Sequence, residues 1–386
     1  MSTEQILTGC VNTERIIDNF LELTGINSMS FCEQKIGGVL TGKLKELGFS
    51  VMLQSYGKSF NLLGYKRGNA AGAMPLILSS HMDTVEPTEG LRVIRENGVI
   101  RTDGKTVLGA DDKSGIAQIL EALRVVQERG LATGDIEVVF TSAEERGLFG
   151  AKNLDFSMLK GTHALVLDSS GSVGKVVVSA PTHDAYTMRI SGRSAHAGIE
   201  PEKGINAIVA AAKIISGLPD GRIDPLTTAN IGIIGGGSAT NVVPREVTIE
   251  GEMRSHSLEA IERLKVTVFD TASRLARKNQ VKIQIEDKRH YTGFKISEDD
   301  SFVKLIDGAF KKNGIIAEHL VYGGGSDANV FNDRGIKSLV LSTGMQQPHT
   351  TEEHIYEKDL TAGAQVVLDA VISFRTYSTC AGLRSI

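Results

Sequence analysis

The amino-acid sequence predicts an α/β fold: a largely parallel, mixed sheet flanked by helices, with a smaller α+β domain inserted. Three observations carry this expectation. Four short runs are continuously apolar and rich in β-branched residues: "PLILSS" from Pro75, "IEVVFTS" from Ile136, "HALVLDSS" from His163 and "KSLVLST" from Lys337. Such runs suit strands covered on both faces. Helical patterns lie between them, and that alternation favours parallel pairing. The middle of the chain changes period instead. "AYTMRISG", "EVTIEGEMRSH" and "VKIQIEDKRH" alternate apolar with polar residues, as half-exposed antiparallel strands do.

Taken in order, "MSTEQILTGCVNTERIIDNFLEL" reads as an amphipathic helix. "DDKSGIAQILEALRVVQERG" puts Ile116, Ile119, Leu120, Leu123 and Val126 on one stripe, with Asp111 and Asp112 at its start and Gly130 past its end. Two more helical stretches, Lys203–Gly217 and Leu258–Lys278, lie among the alternating strands. Residues 182–294 therefore form the inserted domain, and 1–181 with 295–386 the α/β domain. A chain of 386 residues is long for one core, which agrees with two domains. "GIIGGGSATN" and "VYGGGSDAN" read as tight loops.

Lysine and arginine number 42 against 46 acidic residues, a net charge of −4. That balance gives no reason to expect nucleic acid or an anionic membrane as partner. Three scattered cysteines form neither a zinc knot nor a disulfide framework, so a reducing compartment is expected. The N-terminal stretch lacks the basic lead and apolar core of a secretory signal. No run approaches the roughly 20 apolar residues of a membrane span. The expectation is a cytoplasmic protein.

Each apolar strand ends in residues that can bind metal. "LILSS" leads into His81 and Asp83, "IEVVFTSA" into Glu144 and Glu145, "ALVL" into Asp168, and "SLVLSTGMQQP" into His349; Asp111 precedes a helix. In open α/β sheets the ligand crevice lies outside the carboxyl ends of the strands. Two histidines with several carboxylates and no thiolate suit zinc, cobalt or manganese. Two divalent cations sharing a carboxylate would use the whole set and could activate a water. Side chains two apart on an extended segment point the same way, so Asp83 can hold the far nitrogen of His81. Adjacent glutamates face opposite ways, so one can bind metal while the other acts as a base. Each residue has a plainer reading: a strand-end turn for His81 and Asp83, a solvated pair for the glutamates, a helix cap for Asp111, a polar loop for His349.

The ordered motifs "SSHMDTVEP", "LGADDKSGIA", "TSAEERGLFGA", "VLDSSG", "SGRSAHAG", "NVVPREVTIEGEMRS", "GGGSDAN" and "QPHTTEEHI" resemble the dinuclear-zinc exopeptidases that include peptidase T, glutamate carboxypeptidase and aminoacylase. The resemblance spans nearly the whole chain and is closest to the peptidase T branch. It implies that His81 and Asp168 bind one metal and Glu145 and His349 the other. Asp111 would bridge them, with Asp112 the other possible bridge. It further implies that Asp83 orients His81 and that Glu144 is the general base. By the same resemblance the inserted domain is a lid and a homodimerisation surface, and His196 stabilises the oxyanion, often from the partner subunit. Asn241 and Arg254 match positions that hold polar or carboxylate groups of a substrate. Gly324 and Gly325 would present backbone N–H groups to an anion or carbonyl. The implied function is metal-dependent hydrolysis of di- and tripeptides, with zinc as the expected metal. The lid motifs "NVVP" and "EMRSH" lie nearer the carboxypeptidase and acylase branches. Deacylation of N-acyl amino acids is therefore the alternative, and an inactive binding homologue a third reading.

Overall fold

The four apolar runs lie side by side in the computed structural model, which describes residues 9–382, with side chains as far as Tyr377. The spatial order is Ile136–Thr141, Leu76–His81, His163–Ser169 and Lys337–Ser342, all parallel to their neighbours. Leu76–His81 and Ile136–Thr141 are buried along their whole length, as continuous apolar patterning requires. Antiparallel strands extend the sheet on both sides: Ser59–Lys66 and Ser50–Tyr56 beyond one edge, Lys175–Ala180 beyond the other.

The chain divides into two compact units. One comprises the chain up to Val178, Ile296–Val321, and everything from Ser326 onward; the other is Ser179–Lys295 with Tyr322–Gly325. The boundaries expected from sequence differ by a few residues and by this last segment. Tyr322–Gly325 belongs to the inserted unit because the Tyr322 N–H bonds to Ser179 O and Gly325 lies against the Tyr291 ring, where a Cβ would sit 2.2 Å from the ring.

In the first unit, helix Ala110–Glu128 packs on strands Leu76–His81 and His163–Ser169 and on helices Thr13–Thr24 and Glu357–Gly382. Covered on several sides, it is buried almost all round rather than along one stripe. Its polar core positions are paired: Gln118 donates to Thr343 O, and Glu121 takes Arg15 at 2.7 Å. Thr13–Thr24 buries Ile16, Ile17, Phe20 and Leu23; residues 1–8 of the expected N-terminal helix lie outside the described residues. A four-stranded sheet, Met345–Gln346, His354–Tyr356, Val99–Thr102 and Val93–Glu96, frames the segment that carries His349.

The second unit is a five-stranded antiparallel sheet, in the order Gly221–Asp224, Thr227–Gly236, Glu246–Ser255, Thr182–Ser191, Lys282–Tyr291. Helices Ala207–Ile215 and Leu258–Lys278 close a core of Met188, Ile190, Ala211, Ile214, Ile249, Met253, Ile261 and Val268. Two details differ from expectation. The first helix starts at Ala207 rather than Lys203, because the Asn206 side chain caps it by accepting the Val209 N–H. Much of "GIIGGGSATN" is strand rather than loop. Gly236 pairs with Val247 so closely that a Cβ would meet Glu246 O at 2.6 Å. Among the described residues, no helix is long and apolar enough to cross a membrane.

Candidate metal centre

The sheet's connectivity places the crevice. From Leu76–His81 the chain passes through helix Ala110–Glu128 to Ile136–Thr141 on one side. The next apolar strand, His163–Ser169, pairs on the other side. Such a reversal opens a cleft at the strands' carboxyl ends. His81 closes one of these strands and Asp168 lies next to the end of its neighbour.

His81 Nε2 lies 3.0 Å from Asp111 Oδ1 and 3.6 Å from Asp168 Oδ1. His349 Nε2 lies 3.2 Å from Asp111 Oδ2 and 2.9 Å from Glu145 Oε1. Asp111 thus turns one oxygen to each imidazole. Two donor groups result, His81–Asp111–Asp168 and Asp111–Glu145–His349, each compact enough to hold an ion.

The local backbone explains why Asp111 takes the shared position and Asp112 does not. Gly109 sits at φ +73°, and Asp111 and Asp112 have non-helical dihedrals before the helix proper begins. Asp112 turns inward, where its carboxylate takes the Ser80 hydroxyl, the His81 N–H and, at 3.3 Å, the Gly115 N–H. The last of these bonds is a helix cap. The capping expected of Asp111 therefore falls to Asp112.

His81 Nδ1 lies 2.9 Å from the Asp83 backbone oxygen and 3.4 Å from its carboxylate. Sequence spacing had suggested the carboxylate as the nearer partner. That carboxylate instead accepts the Glu144 N–H at 2.9 Å, the Glu145 N–H at 3.2 Å and the Ser30 hydroxyl at 2.7 Å. One buried aspartate so fixes both the imidazole and the glutamate pair. Glu33, also buried, accepts the Phe31 and Ala143 N–H groups and braces the same turn, in which Ala143 adopts φ +49°.

Charge is concentrated here. Burial, then the nearby charge of Asp168, holds Glu144 well above the usual carboxylate range. Burial also pushes Asp168 up to about 7, although His81 opposes it. For Asp111 burial is outweighed by His349 and His81, which hold it well below its usual value. Asp111 and Glu145 push His349 up to about 10. Buried carboxylates crowded in this way call for cations. Glu145 Oε1 gives the sharper test of fit. It is buried and has no hydrogen-bond partner, although His349 Nε2 is 2.9 Å away. Two such atoms face each other as ligands of one ion would.

The remaining expected residues lie in the second unit. His196 is exposed, in a loop running beside Val242, and the Ala197 N–H bonds to Asn241 O. Arg254 is not free to take a substrate carboxylate. Its guanidinium forks onto Glu252 at 2.9 and 3.1 Å and reaches Gly323 O at 3.3 Å. Glu252 is two residues earlier on the same strand and so on the same face, a spacing visible in "EMRS". Gly324 and Gly325 belong to the segment packed near Tyr291, and the following helix, Asp327–Asp333, is closed by its own Ser326–Asn329 capping box.

The sequence did not reveal three buried groups beside the cluster. Lys113 donates to Ile26 O, Asp327 accepts from Thr141 Oγ1, and Glu353 accepts from the Gly109 and Asp111 N–H groups. All three stand inside the motifs "LGADDKSGIA", "GGGSDAN" and "QPHTTEEHI", so the signal was there without a role to attach to it.

Residues 77–373 match the model of peptidase family M20/M25/M40. The chain belongs to that family. An uncharacterized protein of Bacillus subtilis, YqjE, is 40% identical over 369 residues, 93% of this chain and 98% of its own length. Peptidase T of Serratia proteamaculans is 26% identical, covering 92% of this chain and 97% of its own. Among solved structures, the aminopeptidase PepT of Bacillus cereus superposes with a TM-score of 0.89 at 38% identity, and a tripeptidase of Staphylococcus aureus with 0.92 at 37%; each covers 95% of this chain and 100% of its own. The chain is a peptidase T-like metallo-exopeptidase.

Proposed function

We propose that the protein is an aminopeptidase acting on short peptides, tripeptides above all, through a pair of divalent cations, with zinc as the first candidate. The supporting observation is Asp111, whose two oxygens face different histidines at 3.0 and 3.2 Å. A shared carboxylate is what a two-ion site needs. The names and 37–38% identity of the aminopeptidase and tripeptidase structures support the substrate class.

His81 and Asp168 would hold one ion, Glu145 and His349 the other, with Asp111 between them. When bound, such a pair polarises a carbonyl and lowers the pKa of a shared water. Glu144 takes the proton of the attacking water and delivers it to the leaving amine. Asp83 keeps Glu144 in place through its backbone N–H. His196 stabilises the oxyanion from the inserted domain, which acts as lid and homodimer surface. Asn241 and the Gly324–Gly325 segment line the substrate path. Arg254 takes a substrate carboxylate only after exchanging Glu252 for it. The setting is cytoplasmic.

A substrate panel with defined metal added back tests this function. Free-amine tripeptides are expected to be cleaved and N-acylated amino acids left intact. Hydrolysis of the N-acylated compounds alone would make the protein a deacylase.

A further inference from the structure

Glu353 lies four residues beyond His349 and is 1% exposed. Its Oε2 accepts the Gly109 N–H at 2.7 Å and its Oε1 the Asp111 N–H at 2.9 Å. Both amides belong to the irregular first turn of helix Ala110–Glu128, at its cap Gly109 and at Asp111, where helix bonds are not available to them. A buried N–H without an acceptor is costly, so this carboxylate stabilises the turn in its observed shape. That shape sets the direction of the Asp111 side chain, with one oxygen toward His81 and one toward His349. Glu353 itself stands on firm support. Its N–H bonds to Thr350 O, and strand His354–Tyr356, which pairs with Val99–Thr102, begins at the next residue.

We propose that Glu353 is a positioning residue for both ion positions at once, acting by clamping the backbone of the carboxylate they share. The inference rests on the two-ion function proposed above and assigns Glu353 a role beyond that function's residues. A plainer role would be to steady its own loop and hence His349 alone. The two roles differ at the position made by His81, Asp111 and Asp168. His349 offers no ligand atom there, but the Asp111 backbone sets one of its ligands.

Calorimetric titration of the metal-free protein with Zn²⁺, in wild type, Glu353→Gln and His349→Ala, separates them. Glutamine keeps the shape but has one acceptor oxygen, so one of the two amide bonds is lost. Wild type is expected to take up two equivalents. In Glu353→Gln both binding steps should weaken, each about tenfold or more, as when a partner that orients metal ligands is removed. In His349→Ala only one step should weaken. With peptide substrate, Glu353→Gln should lose kcat more than it raises KM, and excess Zn²⁺ should restore part of the loss. The proposal is overturned if Glu353→Gln weakens one step only, as His349→Ala does, or leaves both unchanged. Should Glu353→Gln fail to fold by circular dichroism, Glu353→Asp replaces it. Glu353→Asp keeps both acceptors one methylene short of reach and is judged by the same two steps. A wild-type protein that takes up fewer than two equivalents overturns the two-ion function itself. That result is distinct from two equivalents in wild type with an unaltered variant.

Discussion

Glu144 and Glu145 are adjacent in sequence and differ in task. Glu145 meets His349 at 2.9 Å, while the Glu144 backbone is tied to Asp83. The turn that separates them depends on Ala143 at φ +49° and on Glu33, which accepts the Ala143 N–H. Removing only the proton-accepting capacity of Glu144 should therefore leave the ion-holding set undisturbed. Glu144→Gln is expected to keep the wild-type metal content and to lose at least about 10²–10⁴-fold in kcat, the usual contribution of a positioned acid–base group. Metal analysis and steady-state kinetics on the same sample check this. A variant that loses metal together with activity would move Glu144 into the ligand set. A fully active one would end its role as base.

At the scale of elements, the strand His163–Ser169 joins the crevice to the helices behind it. Its far end begins with His163, whose ring packs against Phe302 at 4.9 Å, Tyr377 at 5.3 Å and Phe374 at 5.6 Å. Burial, helped by the charge of Lys337, lowers the His163 pKa to about 4. The unfolded chain, with an ordinary histidine near 6.5, holds more protons between about pH 6.5 and 4, so stability falls as pH drops through that window. At pH 5 the loss from this residue is about 2 kcal/mol. His163→Phe keeps an aromatic ring and removes the proton site. Urea unfolding at pH 7 and pH 5 should show the wild type losing about 2 kcal/mol more than the variant between the two. Equal losses would refute the assignment. The strand itself was legible because "HALVLDSS" is apolar without interruption, and Asp168 was legible because a carboxylate at the end of such a run needs a partner. Strand Thr227–Gly236 was not, because its glycines read as a loop until the neighbouring backbone explains them. The contacts of Asp112, Glu252 and Glu353 were not legible for a related reason. Each is a charged residue beside a more conspicuous one, and only three-dimensional contacts show which of the neighbours faces the site.

At the scale of the whole molecule, a catalytic unit is interrupted by a second unit with its own core and its own buried charge network. In that network Asp184, fully buried, takes Arg289 and Lys265, both at 2.8 Å. Under the proposed lid role, this unit carries a residue to the reaction centre. The proposed lid role gives that task to His196, on an exposed loop held along Asn241–Val243. His196→Ala should then bind metal normally and lose about 10²–10³-fold in kcat, as when a single oxyanion donor is removed. Family resemblance further suggests delivery from the partner of a homodimer, and mixing variants tests that directly. On these expectations neither Glu144→Gln nor His196→Ala has appreciable activity alone. If subunits exchange at random, half the dimers are mixed, and one of their two sites joins an intact Glu144 to an intact His196. Mixing equal amounts after subunit exchange should thus restore about a quarter of wild-type activity. Recovery of that size places His196 across the dimer interface. With exchange verified by mass, a mixture that stays inactive while His196→Ala alone remains impaired shows that each subunit uses its own histidine.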